Sequence, residues 1–167
     1  QLMSEKRNIV LIGMPSCGKT TIAQSLAKRL NREVVDLDEM LVNQQQKSIK
    51  AIMAEGGEAE FRRLESEVVK QISKQQGLII ATGGGVIKNP INPELLSMNG
   101  TLFYIKRPIE QLSVDDNRPL SSSKEAIAVL WKERKALYEQ YADVEIENYA
   151  DIEQAVTQII SAFTYNK

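Results

Sequence analysis

Residues 13–20, Gly-Met-Pro-Ser-Cys-Gly-Lys-Thr, constrain the fold more than any other segment of the chain. They fit the pattern G-x-x-x-x-G-K-[ST], which builds a phosphate-binding loop when it lies between a strand and a helix. Both neighbours fit: residues 9–12 are a short β-branched apolar run, and Ile22, Leu26 and Leu30 recur on one helix face. This context makes a chance glycine-rich turn the weaker interpretation.

The chemistry of such a loop predicts which residues touch a nucleotide. Its turn directs successive backbone N–H groups inward, and the helix N-terminus adds partial positive charge. We expect Lys19 to reach the β- and γ-phosphates and the Thr20 hydroxyl to ligate Mg²⁺. The predicted nucleotide-binding set is Gly13, Pro15, Ser16, Cys17, Gly18, Lys19, Thr20 and Thr21.

The amino-acid composition excludes several kinds of catalytic site. The chain has 1 Cys and 0 His, which excludes an intrachain disulfide, a Ser-His-Asp or Cys-His enzyme and a histidine zinc site. Acid–base chemistry must then use Asp, Glu, Lys, Tyr or a bound metal. A thiol at a helix N-terminus can be reactive, but we favour an incidental Cys17 side chain, since the loop works through its backbone.

Apolar strands alternate with helical segments along the chain, which predicts an α/β fold. Continuous apolar strands separated by helices are typical of a parallel sheet covered on both faces, with ligands bound beyond the carboxyl ends of its strands. The length of 167 residues suits one domain. Strands are predicted at 9–12, 34–35, 78–81, 101–105 and 144–146, and helical patterns cover 48–75, with a break near Gly56-Gly57, then 126–141 and 152–163.

Charge and length narrow the class of function. Lys+Arg 21 against Asp+Glu 22 gives a net charge of −1, which disfavours nonspecific nucleic-acid or membrane-surface binding. The sequence lacks a long apolar run for a membrane span, and residues 1–8 do not have the pattern of a signal peptide, so we expect a cytoplasmic protein. An Asn-Lys-x-Asp guanine reader is absent. A small-molecule or nucleoside monophosphate kinase fits best.

Two carboxylates follow the second predicted strand. Alternation along an extended chain would direct Asp36 and Asp38 to one side of the sheet edge. One can hold Mg²⁺ through water while the other accepts a proton from an attacking hydroxyl. The alternative is that they cap a helix starting at Glu39.

Further candidates lie on the predicted helices and loops. Arg62 and Glu65 share a helix face, as an Arg oriented toward a ligand carboxylate or as a plain surface ion pair. Residues 82–85, Thr-Gly-Gly-Gly, allow close backbone approach to a ligand, or form a flexible turn. Arg118 lies in a polar segment that could close over phosphates, although most loop arginines are simply solvated, and Arg134 alone is unremarkable.

Taken together, these motifs resemble the shikimate kinase family, in order, over residues 9–142. The resemblance implies a P-loop NTPase fold of the nucleoside-monophosphate-kinase-like type: a three-layer α/β sandwich with a central five-stranded parallel sheet. It implies one kinase domain over 1–167, with substrate-binding helices at about 38–75 and a lid loop at about 112–124. Besides the phosphate loop it rests on Asp36-Leu37-Asp38, Gly57-Glu58, Phe61-Arg62-x-x-Glu65, Gly83-Gly84-Gly85, Arg118-Pro119-Leu120, and Arg134 with Leu137-Tyr138.

The resemblance also implies an activity and a role for each residue. The γ-phosphoryl of ATP would pass to the 3-hydroxyl of shikimate, with Mg²⁺ as cofactor, on the route to chorismate and aromatic amino acids. ATP and shikimate are then the expected partners of a monomer that binds neither nucleic acid nor membrane. The implied catalytic residues are Lys19, Asp38 as base and Arg118 as the lid arginine, which also binds ATP. Thr20 and, through water, Asp36 would hold Mg²⁺. The implied shikimate-binding residues are Asp38, Arg62, Glu65, Gly83, Gly84, Gly85 and Arg134.

The chain departs from the family pattern on the adenine side. Residues 112–115 lack the additional Arg that commonly packs on adenine, residues 148–150 lack a basic side chain, and Met53 stands where an aromatic is usual. Two other functions stay open: a related small-metabolite kinase such as one for gluconate, and a nucleotide-binding regulatory protein without turnover. The combination of Arg62, Arg134 and Asp38 argues against the other small-metabolite kinase. The combination of Asp38, Arg62 and Arg118 argues against the regulatory protein.

Overall fold

The computed structural model describes residues 6–114 and 123–165. Within these ranges one sheet contains five parallel strands: β1 (Asn8–Ile12), β2 (Val34–Asp36), β3 (Ile79–Ala81), β4 (Gly100–Lys106) and β5 (Val144–Glu147). Their spatial order is β2-β3-β1-β4-β5. All carboxyl ends therefore meet at one edge, with the phosphate loop, which follows β1, at the middle of that edge. The predicted parallel sheet is confirmed.

Helices cover both faces of this sheet. The described helices are α1 (Lys19–Leu30), α2 (Leu37–Gln45), α3 (Ile49–Ile72), α4 (Ile91–Met98), α5 (Lys124–Tyr141) and α6 (Ile152–Tyr165), with short 3-10 turns at Val86–Lys88 and Ile109–Gln111. Helix α1 packs against α6, whereas α3 packs against α2 and α4. In the described ranges we find no helix with the length and apolarity to cross a membrane.

The core forms where the sequence pattern predicted it. Ile9, Val10, Leu11 and Ile12 of β1 are all 0% exposed, because neighbouring strands pair with both edges and helices cover both faces. Helix α1 buries Ile22 and Leu26 on the face that the spacing predicted. Each such buried aliphatic side chain contributes about 1.5–3 kcal/mol relative to exposure.

The break predicted within the long helix α3 is present at Gly57. This residue has φ 80° and ψ 175° inside the helix, a conformation that side chains disfavour. Beyond the break, the helix buries Phe61 and Glu65. The break therefore redirects the chain just before the segment that carries Arg62.

Two element boundaries differ from the sequence prediction. Helix α2 begins at Leu37, two residues before the start at Glu39 that the helix-capping alternative gave, because the Asp36 side chain accepts hydrogen bonds from the amides of Asp38 and Glu39; the capping role itself is confirmed for Asp36. Helix α5 begins at Lys124, capped by the Ser123 hydroxyl, so the end of the predicted lid segment is helical. Residues 115–122 of that segment lie outside the described residues.

Candidate active site

The phosphate loop leaves β1 at Gly13 and enters α1 at Lys19. The motif glycines have φ 149° at Gly13 and 108° at Gly18, values that other residues rarely adopt. The space beside them is also filled: an added Cβ would lie 2.7 Å from the Ile105 carbonyl oxygen at Gly13, and 2.6 Å from Asn148 Nδ2 at Gly18. The loop is therefore fixed both by its own backbone and by the ends of β4 and β5.

Lys19 folds back over this loop. Its Nζ donates to the carbonyl oxygens of Gly13 at 2.6 Å and Met14 at 2.9 Å, and the residue is 8% exposed. The ammonium thus lies at the centre of the loop, as expected for a contact to phosphate. Cys17 Sγ is 3.8 Å from this Nζ and only 1% of the residue is exposed, which supports an incidental role for the thiol.

Asn148, just after β5, makes a hydrogen bond to the backbone of the phosphate loop. Its Nδ2 donates to the Cys17 carbonyl at 2.8 Å, and the residue is 2% exposed. The sequence of residues 148–150 indicates only the lack of a basic side chain and does not predict this contact. The signal for a contact was present, because the residues after any strand of a parallel sheet lie at the edge where ligands bind.

Thr20 and Asp36 lie together beside the loop. Thr20 Oγ1 is 3.4 Å from Asp36 Oδ2, while Asp36 Oδ1 caps α2 by accepting from the amides of Asp38 at 2.9 Å and Glu39 at 3.2 Å. Asp36 therefore serves as a helix cap and still directs one oxygen toward Thr20. Hydroxyl and carboxylate oxygens suit Mg²⁺, which usually takes few protein ligands and completes its shell with phosphates and water. The described residues contain no group of three or more Asp, Glu, His or Cys side chains that could hold a metal ion.

Asp38 reaches the site by a different route from the one predicted. It lies in the first turn of α2, not on an extended strand, so alternation does not explain its position. Its carboxylate nevertheless faces the glycine turn after β3, because a Cβ at Gly83 would lie 2.9 Å from Asp38 Oδ1 and 3.2 Å from Glu65 Oε2. Two carboxylates therefore approach one backbone position.

Arg62 and Glu65 form a largely buried ion pair rather than a surface one. Arg62 Nη1 donates to Glu65 Oε1 at 3.0 Å, and Arg62 Nε donates to Glu58 Oε2 at 3.3 Å. The Glu65 residue is 3% exposed, and its Oε2 has no hydrogen-bond partner among the described residues. Burial raises the pKa of the Glu65 carboxyl, and the Arg62 guanidinium partly opposes this rise.

Arg134 lies on the other side of the glycine turn. A Cβ at Gly84 would lie 3.1 Å from Arg134 Nη1, whereas a Cβ at Gly85 would lie 2.4 Å from Arg62 Nη1. Tyr138, one turn after Arg134, donates its hydroxyl to the Gly84 carbonyl, and burial raises its pKa so that the proton is retained. The turn is therefore flanked by two guanidinium groups and anchored by a phenol.

Arg134 keeps unpaired donors although it is buried. The residue is 3% exposed, and its Nε and Nη2 have no hydrogen-bond partner among the described residues. Buried donors of this kind are costly unless an acceptor reaches them. An anionic ligand at the glycine turn would supply that acceptor.

One open cleft runs through this region. It joins the phosphate loop to Asp36, Asp38 and the glycine turn, and it continues on the other side past residues that the sequence did not single out as binding residues. Arg62, Glu65, Gly85 and Arg134 are not among the residues that line this cleft. The lining residues are Pro15, Ser16, Gly18, Lys19, Thr20, Thr21, Asp36, Asp38, Thr82, Gly83, Gly84, Arg107, Gln111, Ser113 and Ile152.

Residues 107–114, which follow β4, contact the phosphate loop at Ser16. The amide of Ser113 donates to Ser16 Oγ at 2.8 Å. Arg118, the predicted lid arginine, lies outside the described residues. Sequence reasoning missed Arg107 in this segment, although a basic residue directly after β4 is at the ligand-binding edge.

With this geometry in place, comparison with known proteins identifies the family. Residues 15–164 match the family model for shikimate kinase. The chain belongs to the shikimate kinase family. It is 40% identical to a shikimate kinase of Clostridium botulinum (strain Eklund 17B / Type B), over 92% of this chain and 95% of that protein.

Solved shikimate kinase structures share the fold. A shikimate kinase from Acinetobacter baumannii in complex with shikimate superposes with a TM-score of 0.92 at 31% identity, covering 99% of this chain and 97% of that one. A shikimate kinase from Aquifex aeolicus gives a TM-score of 0.83 at 32% identity, over 95% of this chain and 97% of that one. Membership of the shikimate kinase family makes the chain a kinase with ATP as co-substrate.

Proposed function

We propose that this chain transfers the γ-phosphoryl of ATP to the 3-hydroxyl of shikimate, giving shikimate 3-phosphate and ADP. The observation that carries the proposal is the continuous cleft that joins the phosphate loop to Asp38 and the glycine turn, with two guanidinium groups next to that turn. A phosphoryl donor and an acceptor bound there would lie end to end, which suits in-line transfer.

The groups around the phosphate loop would neutralise the negative charge of the ATP phosphates. Amides of the loop and the N-terminus of α1 face the phosphates, and Lys19 follows the γ-phosphoryl as charge develops on its oxygens. Thr20 and Asp36 would hold Mg²⁺, which when bound neutralises phosphate charge. Arg118 remains our candidate for a further cation over the phosphates.

The acceptor side anchors a carboxylate and orients a hydroxyl. Arg62 and Arg134 approach the glycine turn from two sides, and the unpaired donors of Arg134 suit the carboxylate of shikimate. Glu65 fixes the orientation of Arg62. Gly83 and Gly84 line the cleft, so their backbone groups are our candidates for direct contacts to the acceptor, and Gly85 completes the turn.

Asp38 is the proposed base. As the acceptor oxygen bonds to the γ-phosphorus, its proton passes to the Asp38 carboxylate, while the bond between the γ-phosphorus and the β,γ-bridging oxygen breaks and ADP leaves. Because the enzyme forms no covalent intermediate in this scheme, the absence of His from the chain is no obstacle.

The test is ADP release from Mg-ATP with shikimate, and with quinate and gluconate as parallel acceptors. We expect shikimate-dependent release. Release with gluconate alone would contradict the proposal in favour of another small-metabolite kinase, and ATP binding without release for any acceptor would favour a regulatory protein. Light scattering on the purified chain tests the predicted monomer, and the single-domain and cytoplasmic assignments stay predictions.

A further inference from the structure

Arg107 follows directly after β4 and lines the cleft beside the phosphate loop. No role has so far been given to it, nor to Gln111 and Ile152, which line the same part of the cleft. Its Nε is buried and has no hydrogen-bond partner among the described residues. The neighbouring Lys106, by contrast, pairs with Glu145 at 3.1 Å and does not line the cleft.

The strand order shows on which side of the phosphate loop this part of the cleft lies. Because the order is β2-β3-β1-β4-β5, the carboxyl edge presents Asp38 after β2, the glycine turn after β3, the phosphate loop after β1, and Arg107 after β4. Ile152 begins the helix that follows β5. The proposed acceptor groups and Arg107 therefore lie on opposite sides of the phosphate loop.

In-line transfer fixes which end of ATP lies on which side. The acceptor must face the γ-phosphorus, so the nucleoside must extend from the other end of the triphosphate. With the acceptor on the β2–β3 side, the nucleoside lies toward β4 and β5, where Arg107, Gln111 and Ile152 form the walls.

The chemistry of an unpaired guanidinium suits a nucleoside. A partly buried cation without a counter-charge is costly, and no carboxylate pairs with Arg107 in the described ranges. The guanidinium is planar and weakly hydrated, and it stacks on aromatic faces in a way that a Lys ammonium does not. Residues 112–114, Leu-Ser-Val, bring no other cation to this wall.

We propose that Arg107 is a nucleotide-positioning residue whose guanidinium packs against the nucleoside of ATP. The proposal rests on the proposed function only for the direction in which ATP lies. Its contact is with the base and ribose rather than with the phosphates, which the loop and Lys19 already bind.

The experiment compares two ligands that differ by the nucleoside. Affinities of Mg-ATP and of inorganic tripolyphosphate are measured for the unaltered chain, Arg107→Ala, Arg107→Lys and the control Lys106→Ala, which removes the same charge from the adjacent residue. We expect Arg107→Ala to weaken ATP binding about tenfold. Tripolyphosphate binding stays unchanged, Arg107→Lys recovers little of the loss, and Lys106→Ala binds both ligands normally.

Steady-state kinetics separates binding from folding. We expect the KM for ATP to rise in Arg107→Ala while the KM for shikimate and the unfolding temperature stay unchanged. Equal weakening of ATP and tripolyphosphate would overturn the nucleoside contact, as would unchanged ATP affinity or full recovery with Arg107→Lys. The binding measurements need no turnover, so failure of shikimate-dependent ADP release in the unaltered chain is a separate result.

Discussion

Arg62→Ala removes, in one change, the partner of a buried carboxylate and a proposed ligand of the acceptor. Glu65 is 3% exposed and accepts a hydrogen bond from Arg62 Nη1 at 3.0 Å, while its other oxygen has no partner among the described residues. Alanine leaves this carboxylate without its salt bridge. We expect the variant to lose both stability and shikimate affinity, for separate reasons.

The loss of stability follows from the burial of the pair. Removing one partner of a buried ion pair costs about 3–5 kcal/mol. The Arg62 side chain is 16% exposed, so water replaces part of the interaction, and we expect about 3 kcal/mol. At about 2–4 °C per kcal/mol for a chain of this size, the unfolding temperature should fall by about 6–12 °C.

The loss should also depend on pH. The ordinary pKa of a Glu carboxyl, 4.5, applies to Glu65 in the unfolded chain, whereas in the folded chain burial raises this pKa and Arg62 lowers it. Without Arg62 the pKa of Glu65 rises further, so the folded state binds the proton more tightly than the unfolded state. The stability difference between variant and unaltered chain should therefore grow as pH rises through the folded-state pKa of Glu65 in the unaltered chain, which lies above 4.5, and shrink as pH falls below that pKa.

Acceptor binding should weaken independently of this effect. Loss of a charge-assisted hydrogen bond costs about 1.5–3 kcal/mol, which corresponds to a rise of about 10- to 100-fold in the KM for shikimate. The KM for ATP should change little, because Arg62 does not line the cleft at the phosphate loop.

Thermal unfolding across pH and steady-state kinetics measure the two effects. Arg63→Ala is the matched control, because Arg63 is the next residue and pairs with the exposed Glu60, so little change is expected. The double variant with Arg62→Ala and Glu65→Gln no longer has the buried carboxylate charge. Its stability should therefore recover, while its KM for shikimate stays high. Unchanged stability of Arg62→Ala at neutral pH would refute the buried pair, and equal loss of ATP and shikimate affinity would refute the carboxylate clamp.

Three further substitutions test other parts of the site. Asp38→Asn should lower kcat by about 10²–10⁴-fold with ATP affinity retained, and near-normal turnover would reject Asp38 as the base. Gly85→Ala places a Cβ 2.4 Å from the Arg62 guanidinium and should raise the KM for shikimate about tenfold by displacing that group; a changed KM for ATP alone would contradict this. Asn148→Ala leaves the buried Cys17 carbonyl without its 2.8 Å donor, so unfolding free energy should fall by about 1–3 kcal/mol and the KM for ATP should rise; unaltered ATP kinetics would show that this hydrogen bond does not position the loop.

The sequence predicted the elements well because their signals are local. The apolar run of β1 and the spacing of Ile22 and Leu26 each reflect one strand or one helix face. Even the break at Gly57 was predictable, since paired glycines interrupt a helical pattern. Where the prediction failed, at Asp38, a side-chain hydrogen bond started the helix two residues early.

The site was harder to predict because its partners are remote in the chain. Whether Arg62 and Glu65 form a surface pair or a buried one depends on which residues pack over them. Their spacing of three residues is the same in both cases, so the sequence does not distinguish the two. Asn148 and Arg107 carry no local motif at all. They reach the loop because β4 and β5 pair beside β1, which is a property of strand order.

The glycine turn shows why a local rule misses such contacts. None of Gly83, Gly84 and Gly85 has a positive φ, so the backbone conformation does not require glycine at any of them. Each is instead closed to a side chain by a different neighbour: the two carboxylates at the first, the phosphate loop and one guanidinium at the second, the other guanidinium at the third. A flexible turn would need one glycine, whereas the proposed junction between the donor and acceptor sides needs all three, because a Cβ at any of them would displace a group with a proposed role in the reaction.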